Sequence, residues 1–237
     1  MADESGAGYA LVVAEDEDAW RQTLERLRRI GVSSVGTSVD DLVALPDVSP
    51  PLLVILDTPA AREECCRTQM RLRRHPKLRD LALLVLGEES DLLSMALAVG
   101  HGASAYLSKR VGDEVLGSFV AKLQRPSVGP PGVEQRSRPR RRLLVPVEVE
   151  VWGARNRATA WLMDASASGC CIETGAAVNE GDALKLWLPL ADATARQPLT
   201  GQARWVRSAS AGLVLTGVRF AAAAAFIAGL ALGIDVG

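Results

Sequence analysis

The stretch RSRPRRRLLVPVEVEV, residues 136–151, decides the fold, because two kinds of chain meet in it. Five arginines, with a serine and a proline among them, run up to Arg142. Beyond them Val145, Val147, Val149 and Val151 alternate with Glu148 and Glu150, which predicts a strand with one apolar and one acidic face. Further strand candidates follow at Ala158–Met163, Gly169–Glu173, Ala183–Leu188, Gly201–Arg207 and Gly212–Phe220, separated by turn residues. Six short strands predict a closed antiparallel β-barrel within residues 143–237.

Upstream, residues 126–142 hold Pro126, Pro130, Pro131 and Pro139 with Arg136, Arg138, Arg140, Arg141 and Arg142, and read as an extended basic linker. Residues 1–125 read differently again. Short apolar runs at Ala10–Val13, Leu52–Leu56, Leu81–Leu86 and Ala105–Leu107 alternate with amphipathic stretches, the pattern of βαβ units. Trp20, Leu24 and Leu27 recur at helical spacing, with Gly31 beyond as a stop. Leu116, Phe119, Val120 and Leu123 mark a closing helix. The expectation is an α/β domain, a doubly wound parallel sheet of about five strands, joined to an all-β domain.

Charge is uneven along the 237 residues. Residues 1–125 carry 15 Lys/Arg against 19 Asp/Glu, and residues 126–237 carry 12 against 9, so an anionic ligand should prefer the second half. The four cysteines form two adjacent pairs, Cys65–Cys66 and Cys170–Cys171, a spacing unsuited to tetrahedral zinc or to loop-closing disulfides. They are expected to be reduced. The opening MADESGAGYA has no apolar signal segment, and the 15 weakly charged residues Phe220–Ile234 fall short of the roughly 20 needed to span a bilayer. A cytoplasmic protein is expected, with that tail forming a C-terminal helix packed on the barrel or on a partner.

The second half resembles the PilZ family from about Arg136 to Phe220. The arginine cluster precedes the Val-Pro-Val strand, and Asp164-Ala-Ser166-Ala-Ser-Gly169 matches the family's Asp/Asn-x-Ser-x-x-Gly signature. The resemblance implies a receptor for cyclic di-GMP, with Arg138, Arg140, Arg141, Arg142, Asp164, Ser166 and Gly169 as its binding residues. The chemistry agrees with those residue types. An arginine fork pairs with phosphate or with guanine N7 and O6 while its flat face stacks on a base. Asp164 supplies an acceptor for guanine N1–H and N2–H₂, Ser166 adds a hydroxyl, and Gly169 permits close backbone approach or a positive φ. The family arginine usually found just before the first strand falls here on Leu144, with Arg138/Arg142 and Arg136/Arg140 keeping the spacing upstream. Taken alone, Asp164 and Ser166 also read as turn residues between strands.

Residues 8–125 resemble response-regulator receivers. Asp57, closing Leu-Leu-Val-Ile-Leu-Asp, stands at the family's phosphoacceptor position, Lys109 at its conserved lysine and Tyr106 at its switch aromatic. The resemblance implies Mg²⁺ held by Asp57 and an acidic pair that falls on Ala14 and Glu15, with Asp16 one residue away. Gly87 replaces the hydroxyl that would close over the phosphoryl group, and Arg110 the usual proline. This pattern points to a pseudo-receiver.

The leading expectation is a cyclic di-GMP-binding signalling adaptor that acts through an unidentified protein partner. A nucleotide-blind scaffold and a phosphorylation-controlled response regulator are the alternatives. Nucleic acid is not the expected partner, because the arginine tract is short and the chain acidic overall. Catalysis is not expected either: the second half has no histidine and one lysine, and His75 and His101 of the first half have no evident catalytic partner. Trp152, Trp161, Trp187 and Trp205 fall on strands and read as barrel packing.

Overall fold

The computed structural model describes residues 8–15, 17–44, 51–57, 62–88, 91–125, 140–154, 156–188, 198–210 and 212–221. The chain divides into two compact units, Met1–Arg125 and Pro126–Gly237.

In the first unit, strands β1 (Ala10–Ala14), β2 (Ser34–Ser38), β3 (Leu53–Asp57), β4 (Ala82–Gly87) and β5 (Ala105–Ser108) form one parallel sheet in the order β2-β1-β3-β4-β5. Among the described residues four α-helices accompany them, α1 (Glu17–Arg29), α2 (Arg62–Arg74) and α3 (Leu92–Gly100) between strands and α4 (Asp113–Gln124) after β5. The three central strands are buried at every residue, which explains their unbroken apolar runs. Strand β2, SVGTS, is an edge strand with no buried residue, so no apolar run announced it. The order 2-1-3-4-5 is that of doubly wound sheets whose ligands bind beyond the carboxyl ends of the strands, and Asp57 is the last residue of β3.

The second unit is a closed antiparallel barrel of six strands in the order β10-β11-β8-β7-β6-β9. These are β6 (Arg141–Val151), β7 (Ala158–Ser166), β8 (Gly169–Thr174), β9 (Ala183–Trp187), β10 (Leu199–Ser210) and β11 (Leu213–Phe220). Val145, Val147, Val149, Leu162, Ile172, Leu186 and Val218 line the core, each less than 5% exposed. The predicted C-terminal helix lies outside the described residues, as do Arg136 and Arg138.

Three expectations need correction. Strand β6 begins at Arg141, so Arg141 and Arg142 are strand residues rather than linker. Strand β7 runs on to Ser166, so Asp164 lies inside a strand and the turn is only Ala167–Ser168. The barrel tryptophans are absent from the core: Trp152 is 69% exposed, and Trp161, Trp187 and Trp205 are half-buried. Small and branched side chains fill the narrow barrel, and the indoles lie outside it, where Arg157 stacks on Trp187 at 3.7 Å and Lys185 sits 4.7 Å from the Trp152 ring.

Candidate functional site

Two irregularities in the barrel ladder create the site. Between Leu162 and Asp164, β7 advances two residues while β8 advances one, from Ile172 to Cys171. Opposite the same point, β6 takes three residues, Arg142 to Val145, to pass two on β7. A bulge reverses which face the following side chains occupy. Leu162 pairs with Ile172 and points into the core, whereas Asp164 pairs with Cys171 and with Arg142 on the outer face. Regular strands would have turned Asp164 inward. The surplus residue on β6 also accounts for Leu144: Leu143 and Leu144 are both buried at the bulge, and the arginines resume beyond them on the ladder.

Arg140 Nη1 lies 2.5 Å from Asp164 Oδ1, with the carboxylate side chain 3% exposed and the guanidinium 19%. Arg142 shares the outer face with Asp164, while Arg141 pairs with Ala165 and belongs to the opposite one. Ser166 is buried; its hydroxyl donates to the Gly169 carbonyl at 3.3 Å and accepts from the Ser168 amide at 3.4 Å, so it shapes the hairpin. Gly169 does not have a positive φ. A side chain there would collide with the Val218 carbonyl of β11, so close approach of a neighbouring strand is what demands glycine. Arg140, Arg142, Asp164 and Ser166 are thus gathered at one end of β6 and β7.

In the first unit Asp57 is 3% exposed and engaged on both oxygens. Thr23 of α1 donates to Oδ2 at 2.5 Å, and Lys109 Nζ lies 2.7 Å from Oδ1 and 3.1 Å from Glu88. Burial alone would lower the Lys109 pKa, but its hydrogen bonds and charge interactions with Asp57 and Glu88 outweigh that and raise it. Arg26 braces the loop after β5, donating to Asp113 at 2.8 Å, to the Lys109 carbonyl at 2.9 Å and to the Val111 carbonyl at 2.5 Å. These groups border a cleft of about 520 Å³ that also reaches Asp18 and Gln22.

The described residues do not fit a magnesium ion. Glu15 is exposed, Thr23 and Lys109 hold the Asp57 oxygens, and no group of three metal-ligating side chains occurs among the described residues. Asp16 lies outside them. At Gly87 the space where a hydroxyl-bearing side chain would stand is filled by the Tyr106 phenol, with which a Cβ would collide. Thr23 was invisible to motif reading, because its partner is 34 residues away in sequence.

Residues 134–225 match the PilZ domain family. The amino-terminal half is similar to solved receiver structures. One is the signal receiver domain of a histidine kinase from Syntrophus aciditrophicus, at 21% identity over 53% of this chain and 99% of that one, TM-score 0.41. Another is the chemotaxis response regulator CheY4 of Vibrio cholerae, at 13% identity over 50% and 99%, TM-score 0.42. A third is a response regulator from Thermotoga maritima, at 19% identity over 50% and 98%, TM-score 0.43. No curated protein matches the chain.

Proposed function

We propose that this protein is a cyclic di-GMP-responsive adaptor, in which a PilZ domain at residues 134–225 binds the nucleotide and the receiver-like unit serves protein contact without phosphorylation. The PilZ family is a family of cyclic di-GMP receptors, and the observation that carries the reading is the outward-turned Asp164 beside Arg140 and Arg142. A carboxylate and two guanidiniums on one surface match guanine, whose Watson–Crick edge donates and whose Hoogsteen edge accepts, and match the two phosphodiester charges.

The engaged Asp57 oxygens and the filled position at Gly87 support a receiver-like unit that does not switch on phosphorylation. Signalling then consists of ligand-dependent change in the arginine segment and its reading by a partner protein, with no covalent step. Calorimetric titration with cyclic di-GMP, with cyclic di-AMP as control, tests the reading. Saturable binding selective for the guanine dinucleotide is expected. Failure of the full chain to bind would leave the nucleotide-blind scaffold as the better account.

A further inference from the structure

Strand β2 is the open edge of the first unit's sheet. It pairs on one side only, with β1, and none of its residues is buried, whereas the opposite edge strand, β5, is buried at all but Tyr106. The amide of Ala10 donates to the Ser33 carbonyl at 2.9 Å, which fixes how the edge faces. The N–H and C=O of one residue point the same way and alternate along a strand, so Ser33, Val35 and Thr37 face β1 while Ser34, Gly36 and Ser38 face outward. Among the described residues no backbone hydrogen bond engages Ser34 or Gly36 on that outer side. Edge strands usually carry a charge, a proline or a bulge that deters further pairing. Residues 32–39, Val-Ser-Ser-Val-Gly-Thr-Ser-Val, have neither charge nor proline, and the register with β1 runs without a shift.

The strand is complementary to itself. Reversed about Gly36, Ser-Val-Gly-Thr-Ser sets Ser34 against Ser38, Val35 against the isosteric Thr37, and Gly36 against its own copy. In that register the outward groups of Ser34, Gly36 and Ser38 meet one another as hydrogen-bonded pairs, and a slip of one residue would set them against inward ones. Charge favours the same direction. Arg28, exposed in the last turn of α1, precedes β2, and exposed Asp40 and Asp41 follow it. Asp40 has Arg71 at 3.5 Å, but its side chain is 93% exposed. An antiparallel copy brings the aspartates of each chain toward Arg28 of the other, twice by symmetry, and a parallel copy would bring like charges together. The half-buried indole of Trp20 lies over Gly36 so closely that a Cβ there would collide with it. A two-fold axis perpendicular to the sheet keeps both indoles on one face, flanking a glycine pair whose Cα atoms stand about 5.5 Å apart.

We infer that β2 is a homodimer interface, at which two copies pair antiparallel about Gly36 and join their five-stranded sheets into one. The inference stands on the first unit alone and does not depend on nucleotide binding.

Sedimentation equilibrium of the full chain over a wide range of concentration, with a thermal melt of each variant, tests it. The parent should pass from one chain to two as concentration rises. Ser34→Pro removes an outward N–H at the first position of the strand, where proline is tolerated, so it should melt as the parent does and stay a single chain. Arg28→Glu should weaken the dimer by about tenfold, and adding Asp40→Lys should restore most of the loss by reversing both charges. A parent that remains one chain throughout overturns the dimer and leaves the edge to an extended segment of another protein. A dimer that persists in folded Ser34→Pro lies on a different surface, which also overturns it. Should Ser34→Pro unfold, the charge variants decide, and equal association by the parent, Arg28→Glu and the double variant overturns the pairing.

Discussion

Nη1 of Arg140 sits 2.5 Å from Oδ1 of Asp164, so the carboxylate assigned to guanine is held in the free protein by an arginine of the same site. The pair keeps an almost fully buried charge compensated and the acceptor aligned. On the function proposed above, barrel stability and ligand recognition would depend on the same two side chains.

Arg140→Ala should therefore destabilise the barrel by about 1–3 kcal/mol, the cost of taking a charged hydrogen-bond partner from a buried carboxylate. Arg140→Ala with Asp164→Ala should cost less than the sum of the two single changes, because the interaction they share is counted once. Urea denaturation of the four proteins in the cycle measures the coupling. Equal midpoints for parent and Arg140→Ala would show the pair to be energetically idle.

Asp164→Ala should weaken cyclic di-GMP binding by about 1–3 kcal/mol, about ten- to a hundredfold, and narrow discrimination against cyclic di-AMP. Replacing Arg138, Arg140 and Arg142 together should instead abolish binding and its salt dependence. Titrations at two ionic strengths distinguish the two defects. Undiminished binding by folded Asp164→Ala would remove Asp164 from the site.

Gly169→Ala should cost about 1–3 kcal/mol by overpacking, because the new methyl group meets the Val218 carbonyl of the adjoining strand. Since the collision is with backbone of β11, the loss should appear in unfolding experiments without ligand. A variant of parental stability that had lost only nucleotide binding would contradict this account.

Acetyl phosphate with Mg²⁺ should leave the circular dichroism and thermal unfolding of the protein unchanged. Thr23 and Lys109 occupy the Asp57 oxygens, and Tyr106 fills the place beside Gly87 from which a hydroxyl would act. A large response that disappears in Asp57→Asn would restore the phosphoswitch.

Two ion pairs of the first unit should lose their contributions at opposite ends of the pH scale. Hydrogen bonds from Arg26 and Arg29 hold the Asp113 carboxyl below its ordinary value of 3.8, so its contribution is complete above that pH and is lost as pH falls through the depressed folded value. Lys109, raised by Asp57 and Glu88 against its burial, contributes fully below 10.5 and loses that contribution as pH rises through its higher folded value. Stability curves of Asp113→Asn and Lys109→Met against pH should flatten at the acid and the alkaline end respectively.

The sequence by itself determined the architecture. Buried parallel strands are apolar throughout, and barrel strands alternate because only one face is buried, so both periods are written locally in runs such as Leu53–Asp57 and Val145–Val151. Short motifs that resemble two known families singled out the arginines, Asp164, Asp57 and Lys109. Strand β2 escaped because an edge strand with no buried residue needs no pattern. Only tertiary structure decided which face each side chain occupies. A one-residue bulge leaves no signature in composition yet reverses every residue beyond it, and two such bulges turn Asp164 and Trp205 onto one surface. Tertiary structure also brought Thr23 to Asp57 and Val218 to Gly169, contacts across 34 and 49 residues that no local spacing encodes, because strand pairing and helix packing set them at a distance.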